Sequence, residues 1–161
     1  MNVSPNTLKW LLRFYPPLFF QRIWVVKFGE DFRSVEVKIN KSILNINYNK
    51  TLFGGTIFSA SDPFYAILFD QILQKRGFKT KVWLKSAHIR YLKPGNTTLR
   101  FKINIVPEDI FEAEQQLKAG EKFIKTYPIE MYNEAGVLCA VVQNEVYVRN
   151  LHIGEKQSIA Y

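Results

Sequence analysis

The chain has 161 residues, 47% of them apolar and 15% aromatic, which fits one domain with a sizeable core and excludes a disordered chain. One cysteine, Cys139, excludes an intrachain disulfide framework, and with only two histidines a Cys/His-rich zinc site is not expected either. The net charge of +8 gathers in residues 1–106, with 17 Lys and Arg against five acids; this is either a solvated basic face or the footprint of an anionic partner, and no nucleic-acid module signature accompanies it.

Residues 4–23 open with Ser4 as a helix cap and Pro5 at the first helical position. Leu8, Leu11, Leu12 and Tyr15 then recur at helical spacing until Pro16-Pro17 breaks the run, after which a second short helical piece fits. Arg13 and the two prolines interrupt any secretory h-region, and the segment is too short and broken to span a bilayer, so a cytoplasmic location is expected. A basic, aromatic amphipathic segment either packs on its own domain, the preferred reading, or touches a membrane surface.

Two strand patterns follow, Ile23–Phe28 and 34–39, joined by a turn at Gly29-Glu30-Asp31. Residues 40–53 are rich in Asn and Lys and read as a loop with one short extended piece. From Ile57 to Leu73 the chain is apolar on nearly every side, which predicts a helix buried all round, running to about Lys75 and stopped by Arg76-Gly77. Asp70 reads as a solvated residue near its end. Asp62 has two readings. In one, Ser61-Asp62-Pro63 is a helix start and the acid merely caps it.

In the other reading the helix starts just after Gly55, its first N–H groups are free, and Pro63 kinks it. Glycines let a ligand approach such a helix start closely, which is the geometry of an oxyanion site. Asp62 lies seven positions beyond Gly55, about 10 Å along the axis, too far for both to reach one carbonyl from the same helix. If they cooperate, the acid comes from a second, antiparallel copy of the chain, which predicts a dimer-interface site.

Residues 79–92 form a long strand pattern, with Trp83, Ala87, Ile89 and Tyr91 assigned to one face and Val82, Leu84, His88 and Arg90 to the other. His88 reads as structural. A Ser59/His88/Asp62 triad lacks a Gly-x-Ser-x-Gly elbow. After a turn at Lys93-Pro94-Gly95-Asn96, Leu99, Phe101, Ile103 and Ile105 alternate with polar residues. Pro107 to Gly120 is a helical or irregular link, and 122–132 with 137–149 is a hairpin. The tail 150–161 is polar and expected to fray, and the whole chain reads as a single domain, 1–161, with 1–22 as an N-terminal helical segment.

The run Phe53-Gly54-Gly55 … Ser61-Asp62-Pro63-Phe64-Tyr65 resembles the hotdog-fold thioesterase superfamily, close to a bacterial branch related to the phenylacetyl-CoA-type enzymes. Ile89-Arg90-Tyr91-Leu92-Lys93-Pro94-Gly95 and Tyr147-Val148-Arg149 extend the likeness over most of the chain. The resemblance implies an α+β hotdog fold, a long helix wrapped by an antiparallel sheet, in a homodimer or a dimer of dimers. It implies hydrolysis of an acyl-CoA or acyl-carrier-protein thioester, with the Gly54 or Gly55 amide polarising the carbonyl and Asp62 of the other chain as base or nucleophile. Many of these enzymes have His where this chain has Phe53, which removes a polar contact to the thioester. Asn49 is a candidate side-chain amide for the thioester oxygen, against plain turn chemistry, and Lys81, Lys85, Arg90 and Lys93 are candidate phosphate contacts. Neither a cofactor nor a metal is expected, coenzyme A being part of the substrate. The alternative is a non-catalytic acyl-binding or interaction module.

Overall fold

The computed structural model describes residues 3–152, so most of the tail expected to fray from 150 onward lies outside the described residues. Its first residues are held: Asn150 pairs with Thr80 across two strands, and the Leu151 amide donates to the Lys79 carbonyl at 2.7 Å. Helix α1 (Pro5–Phe14) starts as its sequence dictates, with the Ser4 hydroxyl accepting from the Thr7 amide at 3.1 Å. The second helical piece is α2 (Pro16–Phe19). Arg22 then takes a left-handed backbone (φ 61°) that turns the chain into β1 (Ile23–Phe28), and the Asn40 amide and side chain both donate to its carbonyl. Strand β2 (Ser34–Ile39) returns antiparallel to β1.

Between β2 and the helices, an isolated bridge joins Ile46 to Leu52, the short extended piece expected in that loop. The central helix comes in two segments, α3 (Gly54–Ser61) and α4 (Pro63–Lys75). Asp62 sits between them with helical φ/ψ of −63° and −57°, and its side chain caps nothing. The capping reading therefore fails, and the kinked longer helix is correct: Pro63 has no N–H to offer the Ser59 carbonyl. The helix is also not buried all round. Phe64, Leu68, Phe69 and Leu73 face the core, but Phe58 and Asp62 stand exposed one turn apart on the other side. Nor is Asp70 a solvated end residue. It accepts from Gln74 at 2.6 Å and from the Thr80 hydroxyl at 2.8 Å, tying α4 to the next strand.

Strands β3 (Thr80–Tyr91) and β4 (Leu99–Asn104), helix α5 (Pro107–Lys118), and strands β5 (Phe123–Tyr132) and β6 (Leu138–Asn150) complete the chain. The six strands form one sheet in the order β1-β2-β4-β5-β6-β3, with each neighbouring pair antiparallel. Its inner face is built by alternation, Val35, Val37 and Ile39 on β2 and Leu99, Phe101 and Ile103 on β4, and α4 packs across it against β2, β3 and β6. Each fully buried Phe or Leu of this layer contributes about 1.5–3 kcal/mol by leaving water.

In β3 the simple parity of the sequence breaks. A bulge between Leu84 and Ser86 inserts one residue, so the inward positions are Val82 and Leu84 before it and Ala87 and Ile89 after it. Trp83 is thereby moved to the outer face, where it stacks on Tyr147 at 4.1 Å, and His88 and Arg90 share that face with it rather than with Val82 and Leu84.

Candidate active site

Three pieces of chain meet at the start of α3. The first is the approach segment, where the Phe53 amide donates to the Asn45 carbonyl and the Leu52 amide to the Gly95 carbonyl, at 2.8 and 2.9 Å. The second is the turn after β3, whose Leu92 and Lys93 amides both donate to the Cys139 carbonyl. Gly95 allows these two to touch, because a Cβ there would lie 3.2 Å from the Leu52 Cβ. The third is the first turn of α3. Together they enclose a cleft of about 330 Å³ lined by Asn47, Leu52, Gly54, Ile57, Tyr91 and Lys93, among others.

Phe53 occupies the N-cap position and caps nothing with its side chain. Its carbonyl accepts from Thr56 and Ile57, while the Gly54 and Gly55 amides find no acceptor among the described residues. Two free N–H groups at the positive end of a helix are the donors an oxyanion needs. Two rings crowd them. The Tyr91 hydroxyl donates to the Gly54 carbonyl at 2.8 Å, and a Cβ at Gly54 would meet that hydroxyl at 3.0 Å. The Phe53 ring lies against Gly55 where a Cβ would stand. The glycines thus admit aromatic rings from their own chain at the helix start, and Gly54 alone of the two borders the cleft.

Asp62 is at the other end of α3 and does not line the cleft. Its carboxylate has no hydrogen-bond or ion-pair partner among the described residues, and although one side of the residue is open to solvent, partial burial of the carboxyl pushes its pKa up. The kink that presents it is held from below. The Asn144 side chain, fully buried, donates to the Ser61 carbonyl at 2.7 Å, and the Ser61 hydroxyl donates to the Phe58 carbonyl at 2.7 Å. The second Asn144 group, its Oδ1, is buried without a partner.

Asn49 stands exposed at the tip of a tight turn and does not line the cleft; Asn47 does, and its side chain is engaged with Thr51, which closes that turn. Of the four basic candidates only Lys93 borders the cleft. Lys81 is about 30 Å along β3 from Tyr91, and Lys85 is paired with Glu145 at 3.2 Å. Arg90 is exposed on the outer face. Tyr91, Asn47 and Asn144 carry roles that the sequence reading did not assign. Asn144 had a visible signal: it is an amide at an inward position of a strand otherwise built of Val142, Val146 and Val148.

One kinked helix laid on the inner face of a six-stranded antiparallel sheet is a hotdog fold, and solved structures agree. A protein of unknown function from Pseudomonas aeruginosa matches with a TM-score of 0.80 at 15% identity, over 93% of this chain and 99% of that one. A thioesterase from Haemophilus influenzae matches at 0.68 and 16%, over 94% of each chain. The PaaI protein from the phenylacetic acid degradation operon of E. coli matches at 0.59 and 14%, over 91% of each. At these identities the likeness is one of fold, and it bears out the hotdog architecture. Residues 8–148 match the domain of unknown function DUF4442, and the chain belongs to that family. No curated protein sequence matches it.

Proposed function

We propose that the chain hydrolyses an acyl-CoA-type thioester at a cleft shared by two copies. The observation that carries this reading is the division of the site along α3. Two unpartnered glycine amides stand at one end, where Gly54 lines the cleft, and an unpartnered carboxylate of raised pKa stands at the other, outside that cleft. An antiparallel second copy brings Asp62 of the partner subunit to the glycines of the first. The exposed Phe58–Asp62 stripe and the bare outer side of β3 support such a pairing, since β3 has no strand neighbour beyond β6 among the described residues.

In this mechanism the thioester carbonyl oxygen accepts from the Gly54 or Gly55 N–H. The partner's Asp62, as base, takes a proton from water while the water oxygen bonds to the carbonyl carbon, and the oxyanion stays on the helix start. The carbon–sulfur bond then breaks, the thiolate takes back the proton, and a carboxylic acid and a thiol leave. Direct attack by the carboxylate through a mixed anhydride uses the same placement. Lys93 at the rim is the candidate contact for a carrier phosphate, whether on coenzyme A or on an acyl-carrier protein. The expected location is cytoplasmic; among the described residues no helix is long and apolar enough to cross a membrane.

The test is thiol release from a panel of acyl-CoAs, with Asp62→Asn as control. Turnover that survives Asp62→Asn unchanged sinks the mechanism. A second reading, acyl binding without hydrolysis, is favoured by the Phe53 ring against Gly55, where a His contact is absent. Saturable acyl-CoA binding with no thiol release from any member of the panel supports that reading over the first.

A further inference from the structure

Helix α1 buries nothing completely. Leu8 and Leu12 lean on the core, and the opposite face presents Trp10, Leu11 and Phe14 to solvent. The aromatic surface continues without a gap. Trp10 contacts Phe14 at 6.2 Å between ring centroids, Phe14 contacts Phe19 at 6.3 Å, and Phe19 contacts Phe20 at 5.5 Å. Phe14 is 67% exposed and Phe20 65%. Next to Phe20, the Asn45 side chain donates to the Gln21 carbonyl and so anchors a loop that carries Ile43 (89% exposed) and Leu44 (64%). An uninterrupted apolar surface of this kind on a water-facing helix marks an interaction site.

Cations border it. Lys9 and Arg13 lie over the Trp10 ring at 5.4 and 4.8 Å, and Arg13, Arg22 and Lys38 surround the Trp24 ring at 5.7, 5.1 and 5.2 Å. None of these four cations has a carboxylate partner among the described residues. Residues 1–29 contain four Lys and Arg and no acid, and residues 37–61 contain three Lys and no acid. Donors also outnumber acceptors inside the cluster, where Arg22 Nε and Trp24 Nε1 are buried without partners.

We propose that this face lies on an anionic phospholipid surface, with the Trp10–Phe20 aromatic row in the headgroup layer and Lys9, Arg13, Arg22 and Lys38 against lipid phosphates. Aromatic rings beside unpaired cations are what an interfacial segment needs: apolar area for the acyl boundary, and positive charge for the leaflet. A second copy is the poorer occupant. A two-fold interface would set the same acid-free cationic cluster against itself. Moreover, α1 covers β1, at the far end of the sheet from β3, so pairing through the bare β3 side leaves this face open. The inference does not depend on thioester chemistry.

The test is co-sedimentation of the whole chain with vesicles of phosphatidylcholine alone and of phosphatidylcholine mixed with phosphatidylglycerol. The chain is expected to partition onto the mixed vesicles on the order of tenfold more strongly, with the difference fading in high salt. Phe14→Ser with Phe20→Ser, and separately Lys9→Gln with Lys38→Gln, should each weaken that partitioning on the order of tenfold. Both pairs are to be matched to the parent by thermal melting, and the altered side chains are mostly outside the core. Equal binding to both vesicle types overturns the proposal, as does anionic binding untouched by either pair. Sedimentation velocity in which Phe14→Ser with Phe20→Ser halves the particle mass also overturns it, and assigns the face to a second copy.

Discussion

The sheet has two edges, and the chain treats them differently. At β1, helix α1 lies along the strand, and Arg13 Nε donates to the Val25 carbonyl at 2.9 Å beside a bulge at Val25 and Lys27. A cation, a bulge and a covering helix all close that edge to further strands. At β3, twelve residues run along the border with one side unpaired among the described residues. The same border carries Tyr91 into the cleft. The open edge is thus the one next to the candidate site. The closed edge, in turn, has its apolar surface turned outward rather than absent.

The sharpest way to break this contrast is at the open side. Asp62→Asn should lower thiol release by about 10²–10⁴-fold, the usual range for a lost general base. In the parent, kcat/KM should rise with pH as Asp62 loses its proton, through a pKa above the ordinary carboxylate value, and this limb should vanish in the variant. Stability has the opposite sign. A carboxyl whose pKa is raised by folding holds its proton longer in the native state, so its contribution falls as pH rises from the unfolded value through the folded one. Asp62→Asn should therefore melt no lower than the parent at neutral pH. Gly54→Pro removes one free amide at a helix position whose backbone tolerates proline, at the cost of a small shift of the Tyr91 ring, and it should also be inactive. Mixing these two inactive chains should restore about a quarter of parental activity, because half the dimers are mixed and each has one intact site. No recovery on mixing places both groups in one chain and ends the shared-cleft argument.

A smaller effect is expected from Phe58→Arg, which puts a charge on the exposed stripe beside Asp62. The dimer dissociation constant from sedimentation equilibrium should rise by at least about tenfold, the factor that corresponds to 1.4 kcal/mol. At the closed edge, Arg13→Ala strips the Val25 carbonyl of its charged donor and should destabilise the fold by about 1.5–3 kcal/mol in urea. If β1 then aggregates while β3 in the parent does not, the two borders differ in protection and not only in geometry.

Much of this contrast was legible in the residues. Ser4-Pro5 marks the start of α1, alternation marks β2 and β4, and the spacing from Gly55 to Asp62 separates donor from acid. The failures have physical causes. The single bulge at Leu84–Ser86 reversed the faces of Trp83 and its neighbours, because parity counting has no term for an inserted residue. The helix reads as buried all round because Phe58 is apolar, and composition does not tell a core face from an exposed apolar one. Asn49 and Asn47 are alike as turn residues in the sequence, and only the hydrogen bonds to Thr51 and the position of the cleft set Asn47 apart.

Asn144 tests how far the open side depends on what lies beneath it. Its side chain reaches from the inner face of β6 to the Ser61 carbonyl, one residue before Asp62. The kink by itself needs only Pro63; Asn144 holds the Ser61 carbonyl from beneath it. Asn144→Ala removes one buried hydrogen bond and also one buried oxygen that has no partner, two changes of opposite sign. The net loss of stability should therefore stay near the low end, about 0.5–1.5 kcal/mol. If the amide merely fills the core, activity should follow that modest change. If it aims Asp62, kcat should fall by about tenfold while KM holds, since the cleft at Gly54 is at the other end of α3. Because Asn144 packs beneath the open side and touches nothing at the β1 edge, membrane partitioning should be unchanged in this variant, which separates the two sides of the molecule in a single protein.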